Sequence, residues 1–133
     1  MRTSIVSILV FACFLYGSCQ SQWIQLESGT DKQLTSMCFL NNDTGFVVGR
    51  QTILKTVDGG YTWSINEYPG TSINLSSVDF VNDTIGFACG YEGVLIKTVD
   101  CGESWSYLNS KFSGTLYSID FINASQILAL SSR

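Results

Sequence analysis

Short apolar runs alternate along most of the chain with clusters of glycine, asparagine and aspartate. No segment keeps apolar residues three and four positions apart over a useful length, so the pattern does not favour helices. Apolar runs of about four to eight residues between turn residues are typical of β-strands. Two such runs, 45–48 and 94–96, are continuously apolar, which indicates strands buried on both faces. The pattern therefore predicts an all-β fold.

The predicted strands recur as a repeat. Phe39, Phe80 and Phe121 follow one another at intervals of 41 residues. The repeat units are predicted at 23–62, 63–104 and 105–133, and a complete unit contains four short strands. Four strands in a unit of about 40–45 residues are the signature of a β-propeller blade. The sequence thus predicts a partial β-propeller over 22–133, built from four-stranded antiparallel blades, of which about two and a half are present.

Each of the first two units leads into the same eight-residue turn, at 56–63 and again at 98–105. The turns share a hydroxyl residue, an aspartate, a glycine and a tryptophan, which are Thr56, Asp58, Gly60 and Trp63, then Thr98, Asp100, Gly102 and Trp105. Aspartate accepts backbone N–H bonds within a turn, and glycine adopts positive φ at little cost. We therefore expect structural β-hairpin corners with each indole folded under its turn. A catalytic or metal-binding role for the aspartates is the alternative, but turn chemistry alone accounts for the spacing.

About two and a half blades are too few to close the ring of a propeller. Propellers usually close with about four to eight blades, and an open array leaves apolar faces and strand edges exposed. We expect the chain to be the N-terminal portion of a larger propeller. Self-association through the exposed blade faces is the alternative.

Residues 1–21 are predicted to be a signal peptide. A basic start precedes an apolar run of 12 residues from Ile5 to Tyr16, and small residues follow it. The run is well short of the ~20 residues that span a bilayer, so no membrane span is predicted. Cleavage would give a secreted, periplasmic or cell-surface protein. A lipoprotein acylated at Cys19 is the alternative, although Tyr16 stands where an aliphatic residue is usual.

Charge and composition exclude several classes of function. Without the leader, six basic residues stand against eleven acidic ones, the opposite of the basic surface expected for a nucleic-acid partner. The chain has no histidine and no Cys-x-x-Cys pair, so the usual zinc sites and histidine-dependent nucleophiles are excluded and no cofactor is predicted. Cys38, Cys89 and Cys101 are expected to be small buried thiols, with a bridge between the last two as the alternative.

The order of motifs carries a family resemblance. The motifs are Trp23, Ser-Gly-Thr at 28–30, Asn-Asp-Thr-Gly-Phe-Val-Val-Gly at 42–49 and Ile-Leu-Lys-Thr at 53–56, followed by the first turn. This order resembles the photosystem II stability/assembly factor-like propeller family of the exported bacterial type, within the wider group that has BNR or Asp-box repeats. The likeness covers essentially 23–130, with Cys101 in place of the first glycine of the second turn. It implies an exported, non-enzymatic scaffold or binding module with a protein or glycan partner.

An enzymatic alternative comes from the same repeats, because Asp-box repeats also occur in sialidases. The chain would then be the N-terminal part of a sialidase-like glycoside hydrolase whose catalytic residues lie outside it. The sialidase resemblance implies a clamp of three arginines, and the mature chain has only Arg50 and Arg133. Because the mature chain has so few arginines, the arginine-rich docking patch expected of photosynthetic members is not assigned to it.

Other candidate groups are few. A glycosidase needs two carboxylates at a set separation, and Asp79 with Asp120 is the only pair matched by the repeat. Cys38 holds the equivalent position in the first unit, so a polar lining explains the pair equally well. No catalytic residue is therefore predicted. The loops at 41–44 and 82–85 are the predicted recognition surface, because exposed loops on a rigid sheet usually carry recognition.

Overall fold

The computed structural model describes residues 5–8, 24–66, 73–123 and 126–132, the first of these by its backbone alone. Within them the chain forms twelve β-strands and one short 3-10 helix. The strands are arranged in two four-stranded and two two-stranded antiparallel sheets. The prediction of an all-β fold is confirmed.

The first blade consists of β3 (Leu34–Phe39), β4 (Gly45–Gly49), β5 (Thr52–Thr56) and β6 (Ser64–Asn66), which pair in chain order. Burial falls from the middle of this sheet to its edge. β4 is buried at every position and β5 at all but one, whereas β6 is mostly exposed. The continuous apolar run of β4 is thus explained by packing on both faces.

The second blade repeats the first. It consists of β7 (Leu75–Phe80), β8 (Gly86–Gly90), β9 (Leu95–Thr98) and β10 (Ser106–Tyr107), with a 3-10 helix at Tyr91–Gly93. The register repeats as well, because Phe80 faces Gly86 as Phe39 faces Gly45. The irregularity near the start of β3 recurs at the equivalent position of β7. The sequence repeat is therefore also a structural repeat.

Two smaller sheets flank the blades. β11 (Leu116–Asn123) pairs with β12 (Gln126–Ser131), and β1 (Ile5–Ile8) pairs with β2 (Ile24–Glu27). β1 belongs to the segment predicted to be a signal peptide. The rest of that prediction, including Cys19, lies outside the described residues.

The blades pack face to face around apolar clusters. The first cluster joins Phe46, Val48 and Ile53 of the first blade to residues of the second, including Leu75, Ile96 and Trp105. Its centre is aromatic: the Phe46 ring stacks on Phe80 at 4.6 Å, and Trp105 meets both rings edge-on at 6.4 and 6.1 Å. Each such pair contributes about 0.5–1.5 kcal/mol beyond the burial of apolar area.

A second cluster extends the stack beyond the second blade. It contains Phe87 and Cys89 of β8 together with Leu116 and Ile119 of β11. β3 packs beside β7, and β7 beside β11. The first strands of successive sheets are therefore neighbours, as the inner strands of propeller blades are.

Candidate functional site

The loops of the two blades gather at two opposite ends. At one end, which we call the Asp-box end, the β3–β4 loop lies beside the β5–β6 turn, and the N–H of Gly59 donates to the Asp43 carbonyl over 2.8 Å. At the other, the cleft end, the β4–β5 turn meets the segment that enters the second blade. There the N–H of Gln51 donates to the Ile73 carbonyl over 2.8 Å. The two ends differ in chemistry.

The first Asp-box turn is held by its own side chains. Thr56 Oγ1 donates to Asp58 Oδ1 over 2.8 Å and accepts from the N–H of Gly60 over 2.9 Å. Asp58 also accepts from the N–H of Thr62 at 2.9 Å and from its hydroxyl at 2.6 Å. The Thr62 hydroxyl is the main reason that the pKa of Asp58 falls to about 2. Both carboxylate oxygens therefore have partners within the turn.

The second turn repeats this network. Asp100 accepts from the Ser104 hydroxyl at 2.5 Å, from the Ser104 N–H at 2.9 Å and from Thr98 Oγ1 at 2.7 Å. The Ser104 hydroxyl is the main cause that lowers the pKa of Asp100 to about 2. Gly102 has φ +76°, and Cys101 adopts φ 57° where the first turn has a glycine. Within the described ranges, no group of three or more His, Cys, Asp or Glu residues could hold a metal ion.

The second turn also binds the first blade. The Lys55 ammonium donates to the Cys101 carbonyl at 2.8 Å and forms an ion pair with Glu103 at 2.5 Å. The side-chain amide of Asn66 donates to the Gly102 carbonyl. Below the turn, Trp105 is 5% exposed and packs in the cluster between the blades.

Within the described part of the chain, the first turn makes no comparable hydrogen bonds or ion pair with a neighbouring blade. Trp63 is only half-buried and meets Phe39 edge-on at 6.2 Å. A shallow groove beside the turn is lined in part by Ile24 and Leu26 of β2. The same eight-residue pattern therefore sits in two different surroundings.

The three cysteines among the described residues are separate thiols. Cys38, Cys89 and Cys101 are all free, so the alternative of a Cys89–Cys101 bridge is wrong. Cys89 is buried as expected, and burial raises its pKa to about 11. Cys38 and Cys101 are half-buried. The Cys38 thiol lies 3.7 Å from Asp79 Oδ1, and burial is the main cause that raises its pKa, followed by that carboxylate.

The carboxylates matched by the repeat do not share one environment. Asp79 is half-buried beside Cys38, whereas Asp120 is exposed. Each accepts from the N–H of the residue that follows it, over 2.8 Å in both cases. These local hydrogen bonds give both carboxylates a structural role on the inner strands, and no catalytic role is needed to explain them.

The cleft end carries an open site between the blades. A cleft of about 210 Å³ is lined by Gln33, Thr35, Arg50, Asn74, Leu75 and Tyr91. The repeat relates Gln33 to Asn74 and Arg50 to Tyr91, each 41 residues apart. Asn74 Oδ1 is buried and has no hydrogen-bond partner among the described residues. An amide acceptor, a guanidinium and a phenol thus converge on one cleft.

Backbone geometry also distinguishes the cleft end. Gln51 and Glu92 follow Arg50 and Tyr91, and they adopt φ 54° and 57°. A non-glycine residue in this left-handed region costs about 1–2 kcal/mol. A wider depression of about 850 Å³ adjoins the cleft, and Tyr91 borders both.

The recognition loops expected from sequence lie at the Asp-box end. Asn41 Oδ1 accepts from the N–H groups of Asp43 and Thr44, and Asn82 Oδ1 does the same for Thr84 and Ile85. The asparagine of each loop thus binds the backbone of its own loop. Each loop also accepts a hydrogen bond from an Asp-box turn, through the Asp43 carbonyl in the first blade and the Thr84 carbonyl in the second. Sequence reasoning missed the cleft because its polar residues are scattered. Applying the 41-residue interval to the polar positions that precede β3 and β7 and that follow β4 and β8 would have aligned them.

Two stacked four-stranded antiparallel blades, each turned by an Asp-box corner, define a β-propeller of the Asp-box class. The sequence model of the family described as "Photosynthesis system II assembly factor YCF48" matches residues 17–130, and the chain belongs to that family.

Two curated relatives are similar to the chain. It is 33% identical over 90 residues to "Photosystem II stability/assembly factor HCF136, chloroplastic" of Arabidopsis thaliana, a match that covers 62% of this chain and 21% of the relative. It is 28% identical over 111 residues to "Photosystem II assembly lipoprotein Ycf48" of Synechococcus sp. (strain CC9902), covering 79% of this chain and 33% of the relative. The chain thus spans a third or less of the length of these relatives.

Solved structures are similar in fold. "YCF48 bound to D1 peptide" matches with a TM-score of 0.68 and 27% identity, over 80% of this chain and 36% of that one. "YCF48 from Cyanidioschyzon merolae" matches with a TM-score of 0.66 over 77% of this chain and 35% of that one, and at 24% identity it shows the fold alone. The predicted family and blade architecture are confirmed. The relatives named here are assembly factors and give no support to the sialidase alternative.

Among the residues that the structure describes, no helix is long and apolar enough to cross a membrane.

Proposed function

We propose that this chain is a non-enzymatic part of an exported β-propeller scaffold, and that it binds a polypeptide segment of a protein partner in the cleft between its blades. Family membership supports the scaffold role. A similar solved structure is "YCF48 bound to D1 peptide". The buried, unpartnered Asn74 Oδ1 in a cleft shared by both blades is the observation that carries the location.

The cleft has the chemistry that an extended peptide needs. A buried acceptor without a partner costs about 1–3 kcal/mol, which a peptide N–H bonded to Asn74 Oδ1 would recover. The Arg50 guanidinium makes no hydrogen bond or ion pair with the described residues, so it can donate to a backbone carbonyl or a carboxylate. The Tyr91 ring offers an exposed apolar surface beside them. Backbone recognition of this kind fits a peptide better than a glycan.

The eight Asp-box residues have a structural role in this proposal. Their hydrogen bonds close the two turns, and both oxygens of Asp58 and of Asp100 accept bonds inside them. A general acid or base must reach a substrate proton, and these carboxylates are engaged with their own hydroxyl residues. The turns therefore shape the scaffold and leave recognition to the opposite end.

Export is the remaining part of the proposal. The basic start and the apolar run from Ile5 to Tyr16 support a signal peptide. The Synechococcus relative is described as a lipoprotein, which supports an exported location for this chain as well. Mass spectrometry of the protein recovered from its native host would identify the mature N-terminus, and an intact Met1 would contradict export by cleavage.

Fluorescence anisotropy with a labelled D1 peptide tests the binding proposal. We expect saturable binding that Arg50→Ala weakens by at least about tenfold, because a hydrogen bond to a charged group contributes about 1.5–3 kcal/mol. Tyr91→Ser should also weaken binding. Tyr61→Ser is the matched control, since Tyr61 is 74% exposed at the Asp-box end. Binding that survives both cleft variants would refute the location, and no saturable binding would refute the proposal.

A further inference from the structure

Four asparagines of the chain begin the sequence Asn-x-Ser/Thr, which marks acceptors of N-linked glycans in exported proteins. We call these sequences sequons, and they begin at Asn42, Asn74, Asn82 and Asn123. A glycan is bulky and needs a surface position, and the transferase must take the asparagine side chain into its active site. An asparagine that is buried or hydrogen-bonded would first have to give up its surroundings. Exposure and hydrogen bonding therefore distinguish the four sequons.

Three of the four asparagine side chains are engaged. Asn74 lies half-buried in the cleft between the blades, with its Oδ1 buried. Asn123 Nδ2, the atom that a glycan would occupy, donates to Gln126 Oε1 over 2.9 Å. Asn82 Oδ1 accepts two backbone N–H groups of its own loop at 2.9 and 2.8 Å, and it accepts the Thr84 hydroxyl at 3.0 Å. Both the amide and the hydroxyl of the Asn82 sequon are thus occupied.

Asn42 differs because its neighbour holds the loop. Asn41 Oδ1 accepts from the N–H groups of Asp43 and Thr44 at 2.9 and 2.8 Å, as Asn82 does in the loop of the second blade. Asn41 and Asn82 are 41 residues apart, so the repeat relates these two, and the sequon at Asn42 starts one position later. Asn42 is exposed, and its side chain makes no hydrogen bond with the described residues. The loop therefore keeps its fold whatever Asn42 carries.

We propose that Asn42 is an acceptor of an N-linked glycan, an inference that rests on the export proposed above. Asn42 Nδ2 forms a bond to the anomeric carbon of a lipid-linked oligosaccharide, and the bond from that carbon to the lipid pyrophosphate breaks. Nδ2 gives up one proton, and the lipid pyrophosphate is the leaving group. The Thr44 hydroxyl completes the recognition sequence and, unlike that of Thr84, makes no hydrogen bond with the described residues.

A glycan on Asn42 would stand at the Asp-box end. Asn42 borders the shallow groove of about 210 Å³ beside the first Asp-box turn, together with Ile24, Leu26 and Tyr61. Ile24 and Tyr61 are 45% and 74% exposed. A hydrophilic oligosaccharide beside these side chains would cover apolar surface that otherwise favours association. The peptide cleft, at the opposite end of the blades, would stay open.

Mass spectrometry of peptides from the protein of its native host tests the assignment. Peptide-N-glycosidase in heavy-oxygen water converts a glycosylated asparagine into a mass-labelled aspartate. We expect the label at Asn42 and at none of the other three sequons. The mature N-terminus is read from the same sample, so a processed N-terminus with an unmodified Asn42 would overturn this inference and leave export standing. An intact Met1 would overturn export and the glycan together.

A reaction on the folded, full-length chain separates the geometry of the acceptor from export. With a purified oligosaccharyltransferase and a lipid-linked oligosaccharide, Asn42 should be modified at least about tenfold faster than Asn82, whose hydrogen bonds must break first. Asn42→Gln should abolish the fast modification, whereas the matched control Asn82→Gln should leave it unchanged. Equal rates at the two asparagines, or a faster rate at Asn82, would overturn the inference.

Unfolding in urea checks the division of roles between the two adjacent asparagines. Asn42→Gln should leave the urea midpoint of the unglycosylated chain unchanged. Asn41→Ala should lower it, because this change removes both bonds that close the loop. A midpoint lowered as much by Asn42→Gln as by Asn41→Ala would show that Asn42 holds the loop, and the inference would be wrong.

Discussion

Replacing Gly102 by alanine tests whether the inter-blade contact depends on a bare glycine backbone. The added Cβ would lie 2.3 Å from Phe46 Cε1 and 2.8 Å from Cζ, and Phe46 is fully buried. Overpacking of a filled core costs about 1–3 kcal/mol. A left-handed alanine adds about 1–2 kcal/mol, since φ at this position is +76°. We therefore expect Gly102→Ala to lower the free energy of unfolding by about 2–5 kcal/mol.

Gly29→Ala separates the two contributions. Gly29 has φ +72°, and nothing lies within 4 Å of the Cβ that alanine would add. This control keeps the backbone strain and omits the clash, so it should cost only about 1–2 kcal/mol. Urea unfolding followed by tryptophan fluorescence gives both values from the transition midpoint and slope.

A double-mutant cycle then assigns the clash to the ring. Phe46→Leu removes the atoms that the new methyl group meets, so it should make Gly102→Ala less costly by about 1 kcal/mol or more. If Gly102→Ala costs no more than Gly29→Ala, or if Phe46→Leu leaves its cost unchanged, the proposed ring-on-backbone contact is wrong.

Two further predictions concern the Asp-box turns. The folded-state pKa values of Asp58 and Asp100, about 2, lie below the ordinary value of 3.8, so their contribution to stability is fully present above about pH 5 and is lost as the pH falls from 4 towards 2. The urea midpoint should fall in that window, and Asp100→Asn should flatten the fall; an unchanged pH profile would contradict the assignment. Cys101, at φ 57°, should tolerate glycine within about 1 kcal/mol, whereas the β-branched Cys101→Val should cost about 1–2 kcal/mol or more. Equal midpoints for the two variants in urea would show that the backbone there relaxes.

The blades were predictable because their signals are local. The apolar run of β4 and the glycine that bounds it recur in β8, and each Asp-box turn sets its own hydrogen bonds within eight residues. The strand that follows each turn was less obvious, since β6 begins the second repeat unit of the sequence but completes the first sheet. A hairpin returns along the strand that enters it, so sheets cross the boundaries of the sequence units.

The cleft was not predictable because it depends on contacts between blades. Arg50 and Tyr91 are ordinary turn residues in sequence, and only the packing of β3 beside β7 brings their segments together. The Gly102–Phe46 contact is another such case, because neither residue signals a distant partner. Periodicity fixes which residues share a face of a strand, whereas the neighbours across a sheet-to-sheet interface come from the three-dimensional arrangement.

The second blade carries both features that meet in the contact between the blades. Its β8 and β9 place the Lys97 ammonium over the Phe87 ring, as the first blade places Lys55 over Phe46. Its turn carries Gly102 and Glu103, which contact the first blade. A DNA segment that encodes one such blade encodes both partners of the contact between blades. A tandem copy of it would therefore pack on the preceding copy without compensating substitutions. Tandem duplication of this segment would therefore lengthen the array one blade at a time.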